Sequence, residues 1–132
     1  MTSEELLFFN EMPDALPIYE TFRNRVTEEI PDVRIDIKKT QISFSNKRMF
    51  ACVSFIKARR AKDRPSPYLV VTFGLVHQAQ SPRIDVATEA YPNRWTHHVI
   101  LSAPQELDPE LMDWLEQAYA FGQRPGRGQR GK

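Results

Sequence analysis

Residues 32–45 read DVRIDIKKTQISFS, and the spacing of their apolar side chains decides the fold. Val33, Ile35 and Ile37 alternate with Arg34, Asp36 and Lys38, and Ile42 and Phe44 resume the same two-residue period beyond Lys39-Thr40. That period predicts half-buried strands, because successive side chains on a strand point to opposite faces. Upstream the period is helical instead: Ile18, Phe22 and Val26 recur every four residues, with Tyr19 and Ile30 widening the same stripe. Asp14 is expected to cap that helix, Pro17 falls in its first turn, and Pro31 stops it. Before it, Ser3-Glu4-Glu5 ahead of Leu6-Leu7-Phe8-Phe9 predicts a short capped helix ended by Pro13.

Downstream, Ser45-Asn46-Lys47 reads as a turn, and MFACVSFI (49–56) is apolar on both faces, as a central strand would be. A basic loop, KARRAKDRPSP (57–67), separates it from a second apolar strand, YLVVTFGL (68–75). A shorter strand is expected near Ile84–Thr88, and RWTHHVIL (94–101) is the last. Asp108 with Pro109 behind it opens a terminal helix whose stripe is Leu111, Met112, Leu115, Ala118 and Tyr119, flanked by Trp114. Runs of strands bracketed by helices predict a two-layer α+β domain. Its sheet is largely antiparallel or mixed, of five to six strands, with the N- and C-terminal helices packed on one face. One domain is expected over residues 1–121, followed by a basic tail, 122–132, that has nothing to bury and is expected to be disordered.

Composition narrows the function classes. A hydrophobic fraction of 41% with 27% charged residues is ordinary for a globular domain of 132 residues, long enough to bury a core. Cys52 is the single cysteine, so no internal disulfide framework exists. The acidic N-terminus does not resemble a signal peptide, and no apolar run spans a bilayer, so a cytoplasmic protein with no membrane partner is expected. The formal net charge of +1 is unevenly spread: residues 1–30 carry seven acids against Arg23 and Arg25, whereas residues 38–64 carry nine bases against Asp63 alone. Such a distribution suits an anionic partner, and it equally suits acidic helices beside strands whose exposed lysines discourage aggregation.

RWTHH (94–98) holds the chemistry-bearing residues. On a strand, Trp95, His97, Val99 and Leu101 share one face and Arg94, Thr96, His98 and Ile100 the other. The adjacent histidines therefore cannot easily ligate one metal together, and with only His77 elsewhere no metal site is expected. His97 reads as a satisfied core histidine and Cys52 as a small buried apolar group. Arg94, Thr96 and His98 form the better candidate, because three polar groups on one strand face, one an arginine with a bidentate grip, suit a carboxylate or phosphate. Lys39 and Thr40 would join that site if their strand lies close. Arg59, Arg60, Lys62 and Arg64 in the basic loop, with the arginines of the tail, suit weak attraction to nucleic-acid phosphates; the loop lacks the interleaved aromatics of a stacking platform. The strings GxGxxG and GxxxxGK fall only in the tail, at 126–132, with no strand ahead of them and no helix behind, so no phosphate loop or cofactor is expected.

The segments IYETFRNRV, DVRIDIKKTQISFSNKRMFACV, RWTHHVIL and LDPELMDWLEQAY together resemble the bacterial family known as domain of unknown function 5655, over roughly Leu16 to Phe121. Lys39-Thr40 and the Trp114–Tyr119 segment carry most of the likeness. The resemblance implies an α+β module that stands alone or is appended to others, and implies no activity. From residues and resemblance together, the expected function is a small module binding an anionic small molecule or peptide on an open sheet face. The alternatives are weak nucleic-acid binding through loop 57–67 and the tail, an enzyme using His98 as general base, and a homodimer that fills the open face.

Overall fold

The computed structural model describes residues 1–57 and 65–123. The element order is α1 (Ser3–Phe8), α2 (Leu16–Glu29), β1 (Arg34–Ile37), β2 (Gln41–Ser45), β3 (Met49–Ser54), β4 (Leu69–Leu75), β5 (Val86–Tyr91), β6 (Arg94–Leu101) and α3 (Pro109–Gly122). All six strands join one antiparallel sheet in the order β1-β2-β3-β4-β6-β5. The α+β architecture read from the periodicity is therefore the one observed, with six strands, within the five to six expected.

Register turns the alternation into rows that cross the sheet. Ile37, Ile42, Val53, Val71 and Val99 lie side by side on β1, β2, β3, β4 and β6, and one step along lie Ile35, Phe44, Ala51, Phe73 and His97. These rows face the helices. Tyr19, Phe22 and Val26 of α2 and Leu111, Leu115 and Ala118 of α3 bury against them in one apolar cluster, with Phe22 edge-on to Phe44 at 5.0 Å. The burial of this many large side chains is the main stabilising term, at about 1.5–3 kcal/mol for each one removed from water.

Local chemistry sets the boundaries. Asp108 accepts the Leu111 N–H at 3.0 Å and caps α3, as expected of Asp108-Pro109. At α1 the cap is Thr2, not a residue of the Ser3-Glu4-Glu5 run: the Thr2 hydroxyl accepts the Glu5 N–H while Glu5 accepts the Thr2 N–H, a capping box. The expected cap of α2 is also corrected. Pro13–Ala15 forms a separate 3₁₀ turn, Asp14 sits inside it, and Ala15 precedes the helix without a side-chain bond. The strand expected near Ile84–Thr88 runs two residues later at its start and three at its end. Ile84 closes a turn on the Ser81 carbonyl, and a Pro92-Asn93 turn, with Asn93 at φ 66°, folds β5 back onto β6.

Glu5 then ties α1 to α2. Its carboxylate is 1% exposed and accepts from Thr2 N–H, from the Tyr19 hydroxyl and from Arg23 Nε at 2.8 Å. Burial alone would raise the Glu5 carboxyl, but those three donors outweigh it and hold it at about 2, while the same burial pushes the Tyr19 hydroxyl up.

Candidate functional site

The sheet face turned away from α2 and α3 is built from small polar side chains. One row over it reads Asp36, Ser43, Cys52, Thr72, His98 and Val86, one residue from each strand. Ser43, Ser45, Cys52 and Ser54 are buried on this face, while Thr72 and His98 are half-buried. Toward one end the face becomes apolar at Val70 and Ile100, which pack with Tyr68, Phe55 and Met12.

At the centre of the row, Thr72 Oγ1 lies 2.8 Å from His98 Nδ1. A hydroxyl has one proton to give. When it donates that proton to Nδ1, the neutral imidazole carries its own proton on Nε2; when it accepts from Nδ1–H, Nε2 is the free acceptor. Burial pushes the His98 ring below its ordinary pKa, partly offset by the Asp85 carboxylate. Asp85 is held beside it: its N–H donates to the His98 carbonyl at 2.9 Å, and its carboxylate accepts the Ile100 N–H at 2.8 Å. Burial pushes the Cys52 thiol up, against smaller opposing effects of Thr72 and the Lys38 ammonium, so it stays protonated at neutral pH.

The β6 residues expected to share a face do so. Arg94, Thr96 and His98 alternate with Trp95, His97 and Val99, and Thr96 lies opposite Gly74 and Thr88. The Arg94 guanidinium sits on Gly74, where an added Cβ would come within 2.4 Å of Cζ, and lies 5.4 Å from the Phe121 ring centroid. Only glycine at 74 leaves room for that placement. Arg94 is thus at one end of β6, about 13 Å along the strand from His98 at the usual rise.

Lys39 and Thr40 fall elsewhere. They form the β1–β2 turn closed by the Lys38 N–H on the Gln41 carbonyl, and β2 is three strand spacings, about 14 Å, from β6. The structure does not bring them to His98; the charge of the neighbouring Lys38 reaches only as far as Cys52 on β3. Arg59, Arg60, Lys62 and Arg64, and the tail arginines, lie outside the described residues. Sequence reasoning missed Thr72, which is the lone polar side chain in YLVVTFGL. That isolation was its one signal. Its alignment with His98 needed the β4–β6 register, which no local pattern encodes.

Other features offer less chemistry. A cleft of about 490 Å³ is lined by Pro65, Pro82, Arg83, Ser102, Gln105 and Glu106. There Arg83 is already matched, by Asp108 at 2.6 Å and the Glu106 carbonyl at 2.7 Å. A smaller one, about 190 Å³, lies between Leu75, His77, Gln117 and Phe121. His98 lines neither. Among the described residues no three His, Cys, Asp or Glu side chains gather as metal ligands, and no helix is long and apolar enough to cross a membrane.

Compared with known proteins, residues 7–122 match the profile of the family described as domain of unknown function (DUF5655). No curated protein and no solved structure matches significantly.

Proposed function

The chain belongs to the domain of unknown function 5655 family, and from that premise we propose that it is a binding module whose helix-free sheet face takes a small anionic ligand. The hydrogen bond between Thr72 and His98 carries the reading, because it holds a half-buried imidazole by Nδ1 and, with the hydroxyl as donor, leaves Nε2–H to meet an incoming acceptor. The small side chains at Ser43, Cys52 and Gly74 leave this face low, and Lys38 and Arg94 flank it with positive charge on two sides. A carboxylate or phosphate meeting Nε2–H and Thr96, with Arg94 in reach of its far end, uses every polar group that β6 offers.

An enzyme built on His98 finds less support. His98 has the perturbed ring such a base requires, but its orienting partner is a hydroxyl, and the proximity of Asp85 raises its pKa without overcoming burial. The binding reading is tested by thermal shift of the purified protein against inorganic phosphate, citrate, nucleotides and a short acidic peptide, at low and moderate salt. An anion present at about a hundred times its Kd stabilises by roughly 2.7 kcal/mol. The shift is expected in the wild type and absent in His98→Ala. No shift with any anion, or an equal shift in His98→Ala, contradicts the proposal.

A further inference from the structure

The histidine on the other side of β6 is placed quite differently. His97 is wholly buried in the row of Phe44, Ala51 and Phe73, and its ring stacks on Phe73 at 5.0 Å and 7°, with Phe73 stacked in turn on Trp114 of α3. Ala79 donates its backbone N–H to His97 Nε2 at 3.0 Å. Nε2 is therefore unprotonated and the ring neutral, with its proton on Nδ1. Among the described residues Nδ1 has no hydrogen-bond partner. The expectation of a satisfied core histidine thus holds for one nitrogen only. Buried polar groups are nearly always paired, so a lone unpaired donor in an otherwise apolar row asks for a role.

Ala79 lies in the segment 76–85 that links β4 to β5. The far end of that segment is held by Asp85 on His98 and Ile100, and by Arg83 on Asp108 and the Glu106 carbonyl. The near end is held by His97 Nε2 on Ala79. A proton on Nε2 converts that acceptor into a second donor facing the Ala79 N–H, so the two cannot remain bonded. We propose that His97 is a proton-operated latch, whose protonation at Nε2 expels Ala79 and opens residues 76–80 away from the sheet while the Asp85 end stays attached.

The charged groups around His97 favour release over retention of the proton in place. Burial acts most strongly against a positive charge on His97, against smaller opposing effects of the Phe73 and Trp95 backbone. His77 of the linking segment and His98, on the opposite face of the same strand, add to the effect of burial. Glu89 of β5 shares the same sheet face, opposite Trp95, and is exposed to water. α3 meets His97 through Phe73 and Trp114, and its Asp113 is tied to Gln117 on the exposed side. Opening of the segment hydrates the ring and lets it charge. The open form then binds one proton more than the closed form below pH 6.5, and its population rises by up to about tenfold per pH unit.

Hydrogen exchange of peptides covering 76–85, corrected for intrinsic exchange, tests this between pH 7.5 and 5. In the wild type, opening of 76–80 is expected to rise toward that tenfold-per-unit limit as pH falls. His97→Gln keeps a neutral acceptor and is expected to stay closed and flat with pH; His98→Ala and His77→Ala are expected to keep the wild-type response. Independently of any variant folding, the wild-type imidazole ¹⁵N spectrum is expected to show His97 as the Nδ1–H tautomer at pH 7.5, with the Ala79 amide losing protection as that ring titrates. Acid opening that persists in His97→Gln overturns the latch. So does an Ala79 amide that stays protected after His97 is protonated.

Discussion

Thr72 Oγ1 and His98 Nδ1 face each other across the β4–β6 pair at 2.8 Å, in the middle of a polar row that crosses every strand of the sheet. Replacing Thr72 by Val keeps the β-branched shape and removes only the hydroxyl. A hydrogen bond of this kind is worth about 0.5–1.5 kcal/mol net, so Thr72→Val is expected to change unfolding free energy by less than about 1.5 kcal/mol. It is also expected to free the His98 ring to exchange tautomers, which ¹⁵N shifts of the imidazole report directly.

The thiol at Cys52 sits in the same row, with burial holding it protonated. Nucleophilic attack needs the thiolate and access to it. In native buffer at pH 7.5, Ellman's reagent is expected to titrate Cys52 slowly, at a rate that follows opening of the fold, and one thiol at once in denaturant. Rapid reaction in native buffer contradicts the buried placement.

Acid stability follows from Glu5. Its carboxyl is held at about 2 against an ordinary value of 4.5, so in that window the unfolded chain binds the proton and the folded chain does not. The stabilisation is fully present above pH 4.5 and is lost as pH falls toward 2. Glu5→Ala leaves the Tyr19 hydroxyl without its acceptor and unpins α1, and is expected to cost about 3 kcal/mol in urea unfolding at pH 7. The same variant is expected to flatten the acid limb of the stability curve between pH 4.5 and 2.

Substitution at Gly74 separates folding from binding. A methyl there displaces the far end of a flexible arginine, not backbone, and alanine suits a strand interior better than glycine does. Gly74→Ala is therefore expected to leave the melting temperature within a few degrees of wild type, since 1 kcal/mol shifts it by about 2–8 °C in domains of this size range. Moving Arg94 off its seat is expected to weaken phosphate binding several-fold, as measured by calorimetric titration.

How far the fold was legible depends on what each feature rests on. The alternation in DVRIDIKKTQISFS and the alternate facing of Trp95, His97 and Val99 against Arg94, Thr96 and His98 follow from two-residue periodicity, which a sequence displays outright. Thr2 as the α1 cap was readable too, from its spacing of three residues to Glu5, but the adjacent Ser3 drew the reading away from it. Asp14 was misassigned because a proline on each side admits both a helix start and a 3₁₀ turn. The pairing of Thr72 with His98, and of Arg83 with Asp108, joins residues about 25 positions apart. Those depend on register, and a bulge at Phe44/Ser45 shows that register does not follow from counting alternate residues.

The central claim is that the polar row on the helix-free face receives an anion through His98. Long-range ¹H–¹⁵N spectra of the histidine rings, recorded at pH 7.5 during titration with inorganic phosphate and then citrate, test it most directly. The account predicts a neutral His98 ring with its proton on Nε2, and a saturable shift of that proton together with the Thr72 and Thr96 amides and the Arg94 side chain. A His98 ring protonated on Nδ1, or one whose signals stay unmoved as either anion is added to saturation of any site, contradicts it.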